Sequence, residues 1–411
     1  MFREVNVLDE SGSFNGPVDV RVSDGVIEEV GLNLPGRDHL SVDFSGLWML
    51  PGIFDCHTHV SLSSVDPMEA LHTPASEWAL EAGANMRRVV EAGVTHVRDA
   101  GGADAGIRQA VSRGLVPGPR LQLAIVMLCQ TGGHADGYLP GVGLELSADY
   151  SPLFAGKPAY QIDGEEEMRR TVRSILRGGA DWIKLCATGG VMAPHDHPRV
   201  PELSPREIEV AVYEAGKRGK GVMAHAFGDE GLTNAVRGGV RSIEHGTFLS
   251  EEQAQEMQAR DCFLVPTLFV LRDVVRVAEQ GGVLPPYAEK KALELRPYRN
   301  GGVEVARAAG VKLALGSDFI RRELHGRNLA EIPLLHEAGL TVEEALLAAT
   351  INGAELCGVA DRYGRLAPGY LFDAIVLDDD PSDLRVFERP GAVTGVSTDG
   401  AAAVRHPRLG G

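Results

Sequence analysis

The run Asp55-Cys56-His57-Thr58-His59 follows the apolar segment Met49-Leu50-Pro51-Gly52-Ile53-Phe54. On a strand, alternate side chains share a face, so His57 and His59 project together at the strand's C-terminal end. Two imidazoles so placed suit a divalent metal, although a bare His-x-His also occurs as a plain pair of loop histidines. Three more candidates stand where short apolar runs end. His225 closes Gly221-Val222-Met223-Ala224, His245 closes Arg241-Ser242-Ile243-Glu244, and Asp318 follows Leu313-Ala314-Leu315-Gly316-Ser317. Any one alone reads as a polar rim residue; together they read as a metal site.

Lys184 lies inside the apolar run Trp182-Ile183-Lys184-Leu185-Cys186. A lone buried ammonium is costly, so the lysine either pairs with a carboxylate, faces out between helices, or has lost its proton. Burial lowers a lysine pKa and leaves a nucleophilic amine. Such an amine adds CO2 to give a carbamate, whose two oxygens can bridge two cations. Just past Asp318, Arg321 and Arg322 can pair a carboxylate bidentately or stand as solvated loop charges. His195 and His197 form a second His-x-His, but in the Pro-rich loop Pro194-His195-Asp196-His197-Pro198, which places them at the surface.

These residues need a scaffold that brings many strand ends to one face. Eight short β-type runs alternate with helical segments: Trp48 to Phe54, Val94 to Arg98, Arg120 to Ile125, Trp182 to Cys186, Val222 to His225, Ser242 to His245, Phe263 to Pro266 and Lys312 to Leu315. Helices are expected over Glu165 to Leu176, Pro205 to Lys217 and Pro286 to Ala309. Eight βα units point to a closed (β/α)8 TIM barrel over 51–362, with chemistry at the strands' C-terminal ends. Residues 1–50 and 363–411 read as short strands and turns. They are expected to pair into one small β-sandwich domain formed from both termini. The Gly- and Pro-rich stretch from Met127 to Asp163 interrupts the third unit, and loops of that length are usually functional.

Composition narrows the partners. With 57 acidic and 40 basic residues, the net charge is −17, which repels a phosphate backbone, so nucleic acid is not expected as a partner. No apolar run is long enough to span a membrane. Five scattered cysteines, an odd number, argue against a disulfide framework and for a reducing cytoplasm.

Local motifs sharpen this: Thr131-Gly132-Gly133-His134-Ala135-Asp136, Asp181 to Leu185 continuing to Thr188-Gly189-Gly190-Val191, Ile243-Glu244-His245-Gly246 and His325-Gly326-Arg327-Asn328. Carrying them, the chain resembles the amidohydrolase superfamily along nearly its whole length, in the binuclear-metal subtype and its prolidase-like clade of Xaa-Pro dipeptidases and metallo-carboxypeptidases. The resemblance implies two divalent metal ions, suited to zinc by their mixed nitrogen and oxygen ligands with manganese or cobalt as alternatives, held by His57, His59, Lys184, His225, His245 and Asp318. It implies a CO2-derived carbamate on Lys184 and a general base and acid in Asp318. Substrate contacts are implied at His134, near a terminal carboxylate, and at Phe227, Arg321 and His325. Several prolidase-like relatives carry Tyr at the position of Phe227, so a more apolar pocket is expected here. Deaminases of the superfamily place Glu where this chain has Gly228 and lack the fourth-strand lysine, so amide hydrolysis is favoured over deamination.

The expected activity is therefore hydrolysis of dipeptides or N-acyl amino acids with a free carboxylate. The alternatives are a hydrolase of a non-peptide amide, carbamate, urea or lactone and, at a distance, a non-enzymatic scaffold. A small-molecule substrate is expected and, by analogy with relatives, a homo-oligomer.

Overall fold

Apolar, β-rich runs pair into parallel sets, most of them buried on both faces. Ile53–Thr58 pairs with Val94–Asp99, and that with Arg120–Leu123, all parallel. Met127–Leu128, Trp182–Cys186, Gly221–Gly228, Ser242–Phe248 and Phe263–Val265 form a second parallel succession. Backbone bonds close the two gaps. The Asp181 amide donates to the Leu123 carbonyl at 2.8 Å, and the Cys56 amide donates to the Leu315 carbonyl at 2.8 Å. The result is a (β/α)8 TIM barrel, with a filled core running through Ile53, Val97, Leu123, Leu185 and Ile243. This computed structural model describes residues 1–409 apart from 37–39, 65, 140, 142, 146–159 and 283.

Three expected elements differ. The run from Trp48 to Phe54 splits at Gly52 into Trp48–Pro51, which joins another sheet, and the barrel strand Ile53–Thr58. A Cβ on Gly52 would lie 2.2 Å from Thr95 Oγ1, so only glycine lets the chain turn against the second strand. Residues 312–315 make one bridge, Leu264 with Leu313, because the Leu315 amide is taken by the Ala348 carbonyl at 3.0 Å. The single helix expected from Pro286 to Ala309 is three pieces, Pro286–Leu295, Arg296–Tyr298 and Val303–Ala308. Gly301, at φ +58°, and Gly302 break it, since glycine gives up helical order cheaply.

Several of the helices start at side-chain caps. Ser204, Ser250 and Thr341 each close a capping box with the residue three ahead, satisfying amides that the first turn leaves open. Leu268–Glu279 and Pro286–Leu295 pack together over the C-terminal mouth of the barrel through Leu271, Val275, Ala288 and Ala292.

Strands from both termini form one eight-stranded sheet in which Trp48–Pro51 lies between Phe2–Leu8 and Ala374–Leu377. A bridge from Val26 to Leu371 brings the sheet's far edge back to the C-terminal segment, around a core of Val5, Val20, Ile27, Phe44 and Phe372. Of the Met127 to Asp163 segment, residues 140, 142 and 146–159 lie outside the described residues. Among the described residues, no helix is long and apolar enough to cross a membrane.

Candidate metal centre and its cavity

The strand Ile53–Thr58 is buried along its whole length, and its alternation turns His57 and His59 to one side, as the sequence implies. Their Nε2 atoms each lie 3.3 Å from Asp318 Oδ1. Lys184 Nζ is 3.4 Å from His57 Nε2. The ligand atoms of His57, His245 and Asp318 fall within 4.8 Å of one another. His225 packs edge-on to His245 with ring centroids 4.5 Å apart. The fold thus brings together all six residues singled out as ligands.

Each imidazole is turned by a bond on its far side. His57 donates from Nδ1 to Glu244 Oε2 at 2.7 Å, and His59 donates from Nδ1 to the Gly101 carbonyl at 2.7 Å. His245 Nδ1 lies 2.7 Å from Thr267 Oγ1. His225 is reversed: its Nε2 donates to the Gly189 carbonyl at 3.1 Å, leaving Nδ1 for the centre. Such outer partners fix tautomer and ring angle in metal sites. The backbone pays for the aim, with His245, Thr267 and Asp318 at φ +76°, +50° and +53°, a left-handed conformation costly for these residues.

Electrostatics match a cation. Burial pushes the His225 and His245 imidazoles well below their usual pKa, keeping them neutral as ligands must be. Burial alone would raise the Asp318 carboxyl, but His57 and His59 hold it well below the usual carboxylate range. Desolvation lowers the Lys184 amine, against the pull of Glu244, which favours the uncharged nucleophile that adds CO2. Four imidazoles, a carboxylate and a depressed amine gathered at one end of the barrel, with the ligand atoms of His57, His245 and Asp318 converging, are a donor set that fits divalent metal.

Sequence reasoning missed the support below the ligands. Glu244 accepts from His57, from Arg98 Nη2 at 2.9 Å and from Ser242 Oγ at 2.5 Å. Arg98 also donates to the Cys56 carbonyl at 2.6 Å and lies over the Trp182 ring, 4.6 Å from its centroid. Burial opposes the Glu244 charge, but Arg98 and His57 hold its pKa at about 2. The signal was present: Arg98 and Glu244 are charged residues inside apolar strands, the feature that singled out Lys184.

A cavity of about 520 Å3 opens on the centre, lined on its apolar side by Val191, Phe227, Leu271, Val274 and Leu295. His134 is in its wall, stacked on His225 with centroids 4.2 Å apart. Phe227 lies flat against His245 at 5.1 Å. Arg321 lines the rim, its guanidinium engaged by Asp273 and, at 3.2 Å, by Glu323. His325 is buried behind the wall, donating from Nε2 to the Leu62 carbonyl at 2.8 Å. His195 is exposed and His197 bonds Glu294 at 3.1 Å. The residue between them turns inward, however. Asp196, its side chain 3% exposed, accepts from His134 Nδ1 at 2.9 Å and from Lys291 Nζ at 2.6 Å. Glu202 accepts from the His134 amide at 2.7 Å.

Residues 48–403 match the amidohydrolase family. Ochratoxinase of Aspergillus niger is 32% identical over 378 residues, covering 88% of this chain and 76% of that protein. Among solved structures, a prolidase complexed with N-methylphosphonate-L-proline superposes with a TM-score of 0.91 at 33% identity, covering 98% of this chain and 99% of that one. A Xaa-Pro dipeptidase with methionine bound in its active site superposes at 0.88 with 27% identity, covering 98% of both chains.

Proposed function

This chain belongs to the amidohydrolase family and is an enzyme acting on amide-type carbon–nitrogen bonds; from that footing we propose a two-metal hydrolase of small dipeptides or N-acyl amino acids that carry a free carboxylate. His57, His59 and Asp318 would hold one divalent ion, zinc by the donor set. His225 and His245 would hold the other, with carboxylated Lys184 shared between them. When bound, such ions supply Lewis acidity toward the amide carbonyl and lower the pKa of water. Asp318 takes the proton of the attacking water and returns it to the departing amine nitrogen, base first and acid second. Its depressed pKa keeps it ionised for the first of these tasks. His134 receives the substrate carboxylate. Phe227 offers an apolar wall beside His245, Arg321 is a weaker carboxylate contact because its charge is already paired, and His325 steadies the wall from behind. Five buried thiols suit a cytoplasmic enzyme.

The observation that carries this reading is His134, an imidazole in the wall of a mostly apolar cavity, stacked 4.2 Å from His225. The prolidase and dipeptidase neighbours support it. The same apolar cavity also suits a non-peptide amide, carbamate, urea or lactone with no carboxylate at all. One panel separates the two: dipeptides and N-acyl amino acids, each beside its C-terminal carboxamide, given to the zinc- and bicarbonate-loaded enzyme. Cleavage confined to free acids is the expected result. Equal cleavage of acids and carboxamides would remove the carboxylate from the proposal.

A further inference from the structure

We infer that Asp196, locked in place by Lys291, is the positioning residue that aims His134 at the substrate's carboxylate; this rests on the carboxylate reading above. The His134 ring is confined on three sides. One face stacks on His225 at 4.2 Å. On Gly190, a Cβ would lie 2.2 Å from the ring's Cε1, so the backbone there is in contact with the imidazole and no side chain fits. Nδ1 is taken by Asp196 Oδ2 at 2.9 Å, which leaves Nε2 as the ring nitrogen for a ligand.

Asp196 is itself fixed by a closed set of bonds. The Gly190 amide donates to Oδ2 at 2.6 Å, the same oxygen that holds His134. Lys291 donates to Oδ1 at 2.6 Å, and its remaining donors go to the Ala193 and Gly190 carbonyls at 2.7 and 3.2 Å. An ammonium has three donors, so Lys291 is saturated by this one loop. It is buried, so its charge depends on these bonds, and removing a partner from such a buried pair is strongly destabilising. Lys291 sits on Pro286–Leu295, one of the two helices over the cavity. The covering helix and the carboxylate contact are therefore one unit. A carboxylate substrate would meet the ring at Nε2, with Asp196 holding the imidazole from its far side.

The test compares Asp196→Asn and Lys291→Met with His134→Ala, using the best-cleaved free acid of the panel. Removing a charge-assisted bond from the anchor's support is expected to raise KM about 10- to 100-fold for Asp196→Asn, with kcat within a few-fold. Lys291→Met should do the same less strongly, and Asp196→Glu should recover part of the loss. A merely structural residue would lower kcat and KM effects together or reduce zinc content and melting temperature, so both are measured alongside. If His134→Ala raises KM and Asp196→Asn does not, the positioning role is overturned while the carboxylate reading stands. If His134→Ala leaves KM unchanged, that reading itself falls. Should Asp196→Asn not fold, Lys291→Met decides: an unchanged KM overturns the role and a selective rise upholds it.

Discussion

The floor of the site and its wall are built differently. The floor residues His57, His225 and His245 sit on barrel strands, and the bonds that turn them come from neighbouring strands or residues just beyond them, as from Glu244 and Thr267. The wall residue His134 sits on a loop, and its support comes from a second loop and an added helix, through Asp196 and Lys291. Barrel strands are rigid and mutually registered, so the floor is suited to holding charges at fixed separations. Loops carry few such constraints, so the wall needs its own ion pair to reach comparable order. On this view the floor sets the chemistry and the wall sets the substrate, and perturbing each should move different observables.

The largest effect belongs to the floor. Asp318→Asn keeps the shape but removes the base, and kcat should fall by about 10²- to 10⁴-fold while much of the metal stays bound. Near wild-type turnover would strip Asp318 of its assigned role. Glu244→Gln weakens the support of His57. Loss of an outer partner costs about 10- to 100-fold in metal affinity, which competition with a chelator would read without any substrate. An unchanged affinity would mean that strand geometry alone aims His57, and the contrast between floor and wall would widen.

The wall should answer in KM instead. Gly190→Ala puts a methyl group where the His134 ring lies 2.2 Å away. Displacing the ring should raise KM for free acids by about 10-fold, given an overpacking cost of about 1–3 kcal/mol, with metal content untouched. If metal is lost too, floor and wall are coupled through the His134–His225 stack, and the comparison fails. The smallest effect concerns Glu202, beneath His134. Burial, with Asp196 nearby, pushes its carboxyl up to about 9. A carboxyl with a raised folded-state pKa binds its proton more tightly when folded, so its contribution is complete below the unfolded value of about 4.3 and is lost as pH rises through about 9. Thermal melts should therefore show stability falling from neutral pH to pH 9, and Glu202→Gln should flatten that slope. Parallel slopes in the two proteins would rule out a buried neutral acid there.

Much of the floor was legible because strand periodicity converts sequence into direction. The alternation of His57 and His59, and the ends of the runs before His225 and His245, needed no knowledge of the packing. The bonding of Arg98 to Glu244 was not legible, since it joins residues 146 apart in sequence and only barrel closure makes them neighbours. The same holds for the extended reading of residues 312–315, where the Leu315 amide donates to the Ala348 carbonyl in place of a ladder that the apolar pattern favours.

The wall shows the limit more sharply. Pro194-His195-Asp196-His197-Pro198 drew notice for its two histidines, which lie outward, while the aspartate between them turns in against His134. No local period governs such a loop, so its orientation comes from Lys291, about a hundred residues on, and from the helix that carries it. By itself the sequence determined the βα alternation, the strand-end positions of the proposed metal ligands and the anomaly of a lysine in an apolar strand, because each follows from periodicity and the cost of burying charge. Only the tertiary structure decided which buried charges meet, which face of a loop looks inward and where the cavity opens, because those depend on contacts between segments whose separation along the chain carries no directional information.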